Sequence, residues 1–192
     1  LDYHSVTSLV PFFERHGLEL FDVERVAVHG GSLRGFVQRR GGPHDVTSRV
    51  KELCALEQRL ALDRESTFVD LAARVGQLGH ELRLMLQGLR EHGKKIAGFG
   101  APAKATTLMH HFGVGSHMLD FIVDDNPRKQ GLYTPGLHVP VVPAAKIAEC
   151  KPDYLLVLAW NFADVIIQTH KPFVDAGGRF IVPLPNLEII PS

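Results

Sequence analysis

The 192 residues carry 21 Lys+Arg and 21 Asp+Glu, a formal net charge of zero, with 45% hydrophobic and 22% charged residues. That length holds one ordinary domain or a domain with an appendage, and it buries a sizeable core without disulfide or metal staples. The composition excludes a disordered or fibrous chain, and the charge balance leaves no overall electrostatic footprint for nucleic acid or an anionic membrane. Cys54 and Cys150 allow one disulfide at most and read as two thiols of a reducing cytoplasm. No apolar run approaches ~18 residues, so no membrane span is expected. No signal peptide is visible, and the expected location is cytoplasmic. The start at Leu1 without a methionine reads as a fragment or a processed product.

Residues 5–16 predict a helix capped by Ser5 or Ser8, with Pro11 in an early turn. Leu9, Phe12, Phe13 and His16 suggest its inner face, and Gly17 its stop. LELFDVERVAV and SLRGFVQRR alternate as strands around His29-Gly30-Gly31-Ser32, which predicts a hairpin ended by Gly41-Gly42-Pro43. Residues 45–92 carry helical spacing, first through Val46, Val50, Leu53, Leu56 and Leu60. The pattern then repeats more regularly from Phe68 to Leu89. Gly76, Gly79 and Gly88 interrupt it and hint at close packing. From residue 94 onward strands and helices alternate. KKIAGFG, MLDFIVDDN, DYLLVLAWN and RFIVPLP read as strands, with a short extended piece at Val139–Val142. PAKATTLMHHFG, the stretch from Pro143 through Cys150, and NFADVIIQTHKPFVDAG read as helices. The expected fold class is α/β, a Rossmann-like, mostly parallel sheet with helices on both faces, preceded by a helix and hairpin. Ligands bind such sheets outside the carboxyl ends of the strands.

Four short segments carry candidate chemistry. Gly98-Phe99-Gly100-Ala101-Pro102-Ala103-Lys104 joins a strand to a helix start, where free N–H groups and a lysine suit a phosphate. The same residues also make an ordinary strand-to-helix turn. Val123-Asp124-Asp125-Asn126-Pro127 follows the next strand, where dinucleotide-binding units place an acid against ribose hydroxyls. It is equally turn chemistry. Ala159-Trp160-Asn161 ends the strongest strand and holds the single tryptophan, fit either for a crevice wall or for packing. His29-Gly30-Gly31-Ser32-Leu33-Arg34 offers a proton carrier and an anion-binding guanidinium on what is otherwise a hairpin turn. His110 and His111 are uninformative. No H-E-x-x-H, zinc-spaced cysteine pair, Gly-x-Ser-x-Gly or Walker pattern is present, so no metal is assigned and neither acyl nor nucleotide hydrolysis has support.

GFGAPAKA, VDDNP, PDYLLVLAWN and AGGRFIVPLPNLEII, taken in this order after HGGSLR, resemble one family. They look like the C-terminal part of S-adenosylmethionine-dependent C-methyltransferases of nucleotide-linked deoxysugars. The resemblance covers nearly all of the chain and is weakest over 43–92. It implies that residues 1–42 end a methyltransferase domain, 43–93 form a helical connector, and 94–192 form a Rossmann-like substrate-binding domain. It also implies that the methyl-donor site lies mostly outside this chain, and that zinc belongs only to an N-terminal part not represented here. The family's Tyr-x-Glu-His catalytic motif would end just before Leu1. Tyr3 falls in its continuation, and Asp2 and His4 depart from the residues common there.

The implied reaction removes the proton beside the carbonyl of a 4-keto sugar, and the resulting enolate takes the methyl group. Such chemistry needs a positioned base and a donor near the developing oxyanion. The resemblance makes His29 and Tyr3 the catalytic candidates. It makes Ser32, Arg34, Gly98, Gly100, Ala101, Lys104, Asp124, Asn126, Trp160 and Asn161 the substrate-binding ones. The expected partner is a nucleotide-linked sugar, with neither nucleic acid nor membrane, and an oligomer is left open. This chain alone is expected to be inactive. Two other readings stay open: an NAD(P)-type dinucleotide-binding oxidoreductase domain, and a non-catalytic structural or oligomerisation module.

Overall fold

The computed structural model describes residues 4–28 and 31–191. The chain divides into two units, one up to Ala72 and one from Ala73 onward.

The first unit opens with helix α1 (Val6–Arg15). Ser5 caps it through a reciprocal box with Ser8, which satisfies two N–H groups that the first turn leaves without intrahelical partners. Pro11 lies inside the helix rather than in its opening turn. The inner face is also rotated from the expected one. Val6, Leu9, Val10 and Phe13 meet Leu20, Val23 and Val50 in the core, while Phe12 and His16 pair their rings outside it. Strands β1 (Leu18–Val26) and β2 (Ser32–Arg39) form the expected antiparallel hairpin, with an irregularity between Leu20 and Asp22. Helix α2 (Ser48–Arg59) packs beneath them.

Two long-range carboxylates tie this unit together. Glu57, near the end of α2, accepts from the Val6 and Thr7 N–H groups at 2.7 Å each and from the Thr7 hydroxyl at 2.6 Å. It thereby caps the start of α1 from another helix. Asp22 accepts from the Thr47 hydroxyl at 2.6 Å and from Arg49 Nε at 2.8 Å, and its second oxygen pairs with Arg49 Nη2. The Arg49 contact, followed by the Thr47 bond, holds the Asp22 carboxyl below the usual carboxylate range.

Helix α3 (Glu65–Glu91) begins in the first unit and ends in the second. Its apolar stripe is buried only over the later turns, at Leu82 and Leu86, with Phe68 and Leu71 exposed. Of its three glycines, Gly79 alone is required by a neighbour. A Cβ there would lie 2.5 Å from the Phe112 ring, whereas Gly76 and Gly88 face open space.

The second unit is a six-stranded sheet in the order β5-β4-β3-β6-β7-β8. The strands are β3 (Ile96–Phe99), β4 (Ile122–Val123), β5 (Val141–Val142), β6 (Tyr154–Val157), β7 (Arg179–Val182) and β8 (Glu188–Ile190). All neighbours are parallel except β7 and β8. Every residue of β3 and β6 is buried, as central parallel strands covered on both faces require. Helix α4 (Ala103–Phe112) and the end of α3 pack on one face. Helices α5 (Ala145–Cys150), α6 (Ala163–Thr169) and α7 (Lys171–Asp175) cover the other. The Rossmann-like architecture with helices on both faces is therefore as expected.

Four boundaries differ from the sequence reading. The strand expected over MLDFIVDDN is confined to Ile122–Val123, because Gly115–Leu119 folds into a hydrogen-bonded turn. The strand over DYLLVLAWN ends at Val157, and Trp160–Phe162 forms a 3-10 turn. The single helix expected over NFADVIIQTHKPFVDAG is two, broken at His170, because Pro172 lacks an N–H to continue the α6 ladder. The strand in RFIVPLP is not the last, since Glu188–Ile190 returns antiparallel as β8. No described helix is long and apolar enough to cross a membrane. Both cysteines are free thiols.

Candidate functional site

The crevice forms where the sheet order reverses, between β3 and β6, with crossovers leaving in opposite directions. Gly98 and Gly100 are both dictated by packing there. A Cβ on Gly98 would lie 2.8 Å from Ile122 Cγ1 and 3.0 Å from Leu158 Cδ1. Gly100 has φ of +87°, and its Cβ would lie 2.6 Å from that of Ala159. The turn after β3 is therefore pressed against the turn after β6, which brings two of the sequence's candidate segments together. Their side chains meet as well. Lys104, in the first turn of α4, stands 4.6 Å from the centre of the Trp160 ring. A cation over an indole face is attractive, and the pairing keeps a positive charge at a helix start whose own dipole disfavours it. Asn161 sits beside Trp160 in the 3-10 turn.

The third segment is tied to the first through Asp124. Its carboxylate is buried and accepts from Ala101 N–H at 2.7 Å, from Asn126 N–H at 2.9 Å and from Lys129 Nζ at 3.1 Å. Lys129 also donates to the Ala101 carbonyl at 3.0 Å, so the Ala101 peptide is gripped on both sides. Burial opposes the charged form of Asp124. The two N–H groups and the Lys129 ammonium outweigh it and hold the carboxyl below the usual carboxylate range. This acid thus organises the turn and spends its lone pairs on the protein, in the place where dinucleotide-binding folds present one to ribose. Asp125, next to it, is exposed.

A depressed folded-state pKa stabilises the protein above the ordinary carboxylate range and ceases to do so as pH falls through the folded value. Asp124→Asn is expected to cost about 1–2 kcal/mol at pH 7, with the gap to the parent closing as pH falls below the ordinary carboxylate range. Urea unfolding across that range reads it, and a gap independent of pH would contradict the assignment.

The hairpin candidates lie in the first unit. Ser32 donates to the Val28 carbonyl at 3.0 Å, and Arg34 pairs with Glu24 at 3.3 Å across the strands. His29 and Tyr3 lie outside the described residues. Among the described residues no group of three His, Cys, Asp or Glu side chains is arranged to hold a metal ion.

A family model described as the C-methyltransferase C-terminal domain matches residues 27–185, which span β2 through the end of β7 and all three crevice segments. The chain belongs to that family. It is also 38% identical over 188 residues to C-methyltransferase NovU of Streptomyces niveus, a match covering 98% of this chain and 45% of that protein. The chain therefore spans less than half the length of this relative. In this C-methyltransferase C-terminal domain, the glycine turn, Asp124 and Trp160, all named from the sequence, come together at the crevice. Lys129 was not named, though its place just beyond Asp-Asn-Pro lets it return to Asp124. Thr106 and Tyr133, also not named, line a cavity of about 130 Å³ together with Ala101 and Lys129. Nothing in their spacing marks them.

Proposed function

We propose that this C-methyltransferase C-terminal domain binds the nucleotide-linked 4-keto deoxysugar substrate of an S-adenosylmethionine-dependent C-methyltransferase. The observation that carries the reading is the packed junction of Gly100 and Ala159, which sets Lys104 and Trp160 side by side at the reversal point of the sheet. A diphosphate suits this junction. The first turn of α4 supplies backbone N–H groups, and Lys104 supplies a full positive charge. Gly98, Gly100 and Ala101 set the path of the turn, Asp124 positions it, and Asn126, Trp160 and Asn161 wall the rest of the crevice. Ser32 and Arg34, on the hairpin of the first unit, are proposed in their own right as substrate-contact candidates, and His29 and Tyr3 as catalytic candidates.

Binding of the methyl donor is not assigned to the turn of this chain. S-adenosylmethionine would supply the electrophilic methyl group, and its site is assigned to the part of such proteins that precedes this one. What these residues do is hold the sugar nucleotide by its anionic end, so that the carbonyl-bearing ring is fixed for proton removal.

Lys104→Ala is expected to weaken binding of a nucleotide-linked sugar at least tenfold, the loss typical of one charge-assisted contact. Titration calorimetry reads it. Equal affinities for parent and variant would remove Lys104 from the site and with it the phosphate assignment.

A further inference from the structure

The cavity of about 130 Å³ lies between the start of α4 and the segment 129–135 that returns from β4. Its inner side is apolar and fully buried, made by Ala105, Met109, Ile122 and Val141. Tyr133 lines it while remaining 64% exposed. An aromatic side chain left this open on a loop that is otherwise firmly held calls for an explanation.

The segment is indeed held. Gly131 N–H donates to the Val141 carbonyl at 2.9 Å, and Val141 N–H to the Leu132 carbonyl at 2.9 Å. Thr134 is buried, and its hydroxyl accepts from Val139 N–H at 2.9 Å. Tyr133 is thus carried on a preformed support, which lowers the ordering cost of anything that stacks on it. The cavity has two polar participants besides. Thr106 lines it, and so does Lys129, whose ammonium spends two of its three protons on Asp124 and Ala101.

We propose that this cavity receives the base of the nucleotide ligand, with Tyr133 as its stacking face and Lys129 and Thr106 as polar contacts at its edge. The inference rests on the preceding reading that the adjacent turn takes a diphosphate. Three features favour a base over the sugar end. The walls are apolar and suit a flat ring face better than a ring bearing hydroxyls. The volume takes a single ring and is well below that of a pocket enclosing a whole ligand. Ala101 and Pro102 line both the cavity and the approach to α4, so a base here leaves its diphosphate at the helix start.

The test is calorimetric titration of the protein with dTDP and, separately, with inorganic pyrophosphate. Tyr133→Ala removes an exposed side chain and should leave folding intact. Thr106→Trp fills the cavity from its other side. Each is expected to weaken dTDP binding about tenfold, as loss of one base–aromatic stack does, and to leave pyrophosphate affinity unchanged. Lys104→Ala should weaken both ligands. Unchanged dTDP affinity in the Tyr133 and Thr106 variants, with the Lys104 effect intact, would overturn the base site and leave the diphosphate reading standing. Equal loss of both ligands in Tyr133→Ala would show a role in shaping the loop and would also overturn it. No binding of either ligand by the parent would overturn both readings at once.

Discussion

Gly100→Ala is expected to destabilise the second unit by about 2–4 kcal/mol, the sum of a left-handed backbone position and an overpacked contact. The two causes separate experimentally. A methyl group at residue 100 would stand 2.6 Å from Ala159 Cβ and 3.2 Å from Ala159 N, and the backbone there has φ of +87°. Adding Ala159→Gly removes the side-chain clash and leaves both the backbone contact and the dihedral cost. The double variant should therefore recover part of the loss, about 1–2 kcal/mol. Trp160 lies beside the junction and reports it by fluorescence during urea unfolding. A cost below about 0.5 kcal/mol for the single variant, the size of an ordinary surface change, would mean that the two turns are not pressed together. The crevice would then lose its geometry.

The second large effect lies in the first unit. Glu57→Ala is expected to cost about 2–4 kcal/mol, because it strips partners from two backbone N–H groups and a hydroxyl at once. One of these, the Val6 N–H, belongs to a residue with no exposure, so water cannot easily replace the carboxylate. Glu57→Gln keeps one acceptor oxygen and should cost roughly half as much. Hydrogen exchange of the Val6 and Thr7 amides reads the site directly. Protection of both amides in the alanine variant would contradict the assignment.

The fold was legible where local chemistry decides structure. Ser5 and Ser8 make a cap recognisable from three residues of spacing, and Gly17 ends α1 with φ of +69°. The buried runs IAGF and YLLV announce central parallel strands because both faces are covered. The alternation of strand and helix after residue 94 led correctly to a Rossmann-like sheet. Legibility fell where a distant partner decides. The inner face of α1 is set by β1 and α2, so Val6 and Val10 enter the core while Phe12 stays out. The return of Glu188–Ile190 depends on an open edge of β7, which the sequence of that segment does not display. The break at His170 was locally readable from Lys171-Pro172, but the apolar residues on either side suggested a continuous helix.

The candidate site divides the same way. Both glycines were visible as a turn signal, yet their cause is the approach of Ile122, Leu158 and Ala159 from neighbouring strands. Asp124 was correctly placed at a strand end, but its bonds to Ala101 and Lys129 come from tertiary geometry. Those bonds bear on the oxidoreductase alternative. An acid that is committed to a backbone amide and an ammonium offers little to ribose hydroxyls. Trp160 was expected beside the Gly98–Lys104 turn, but the contact between its ring and Lys104 comes from the β3–β6 pairing.

The junction between β3 and β6 is proposed to bind a sugar nucleotide. The most direct measurement is calorimetric titration of the protein with a dTDP-linked 4-keto sugar and with NAD+ in parallel. Saturable binding of the sugar nucleotide, weakened at least tenfold by Lys104→Ala, is expected, with no binding of NAD+. Binding of NAD+ in preference to the sugar nucleotide would contradict it.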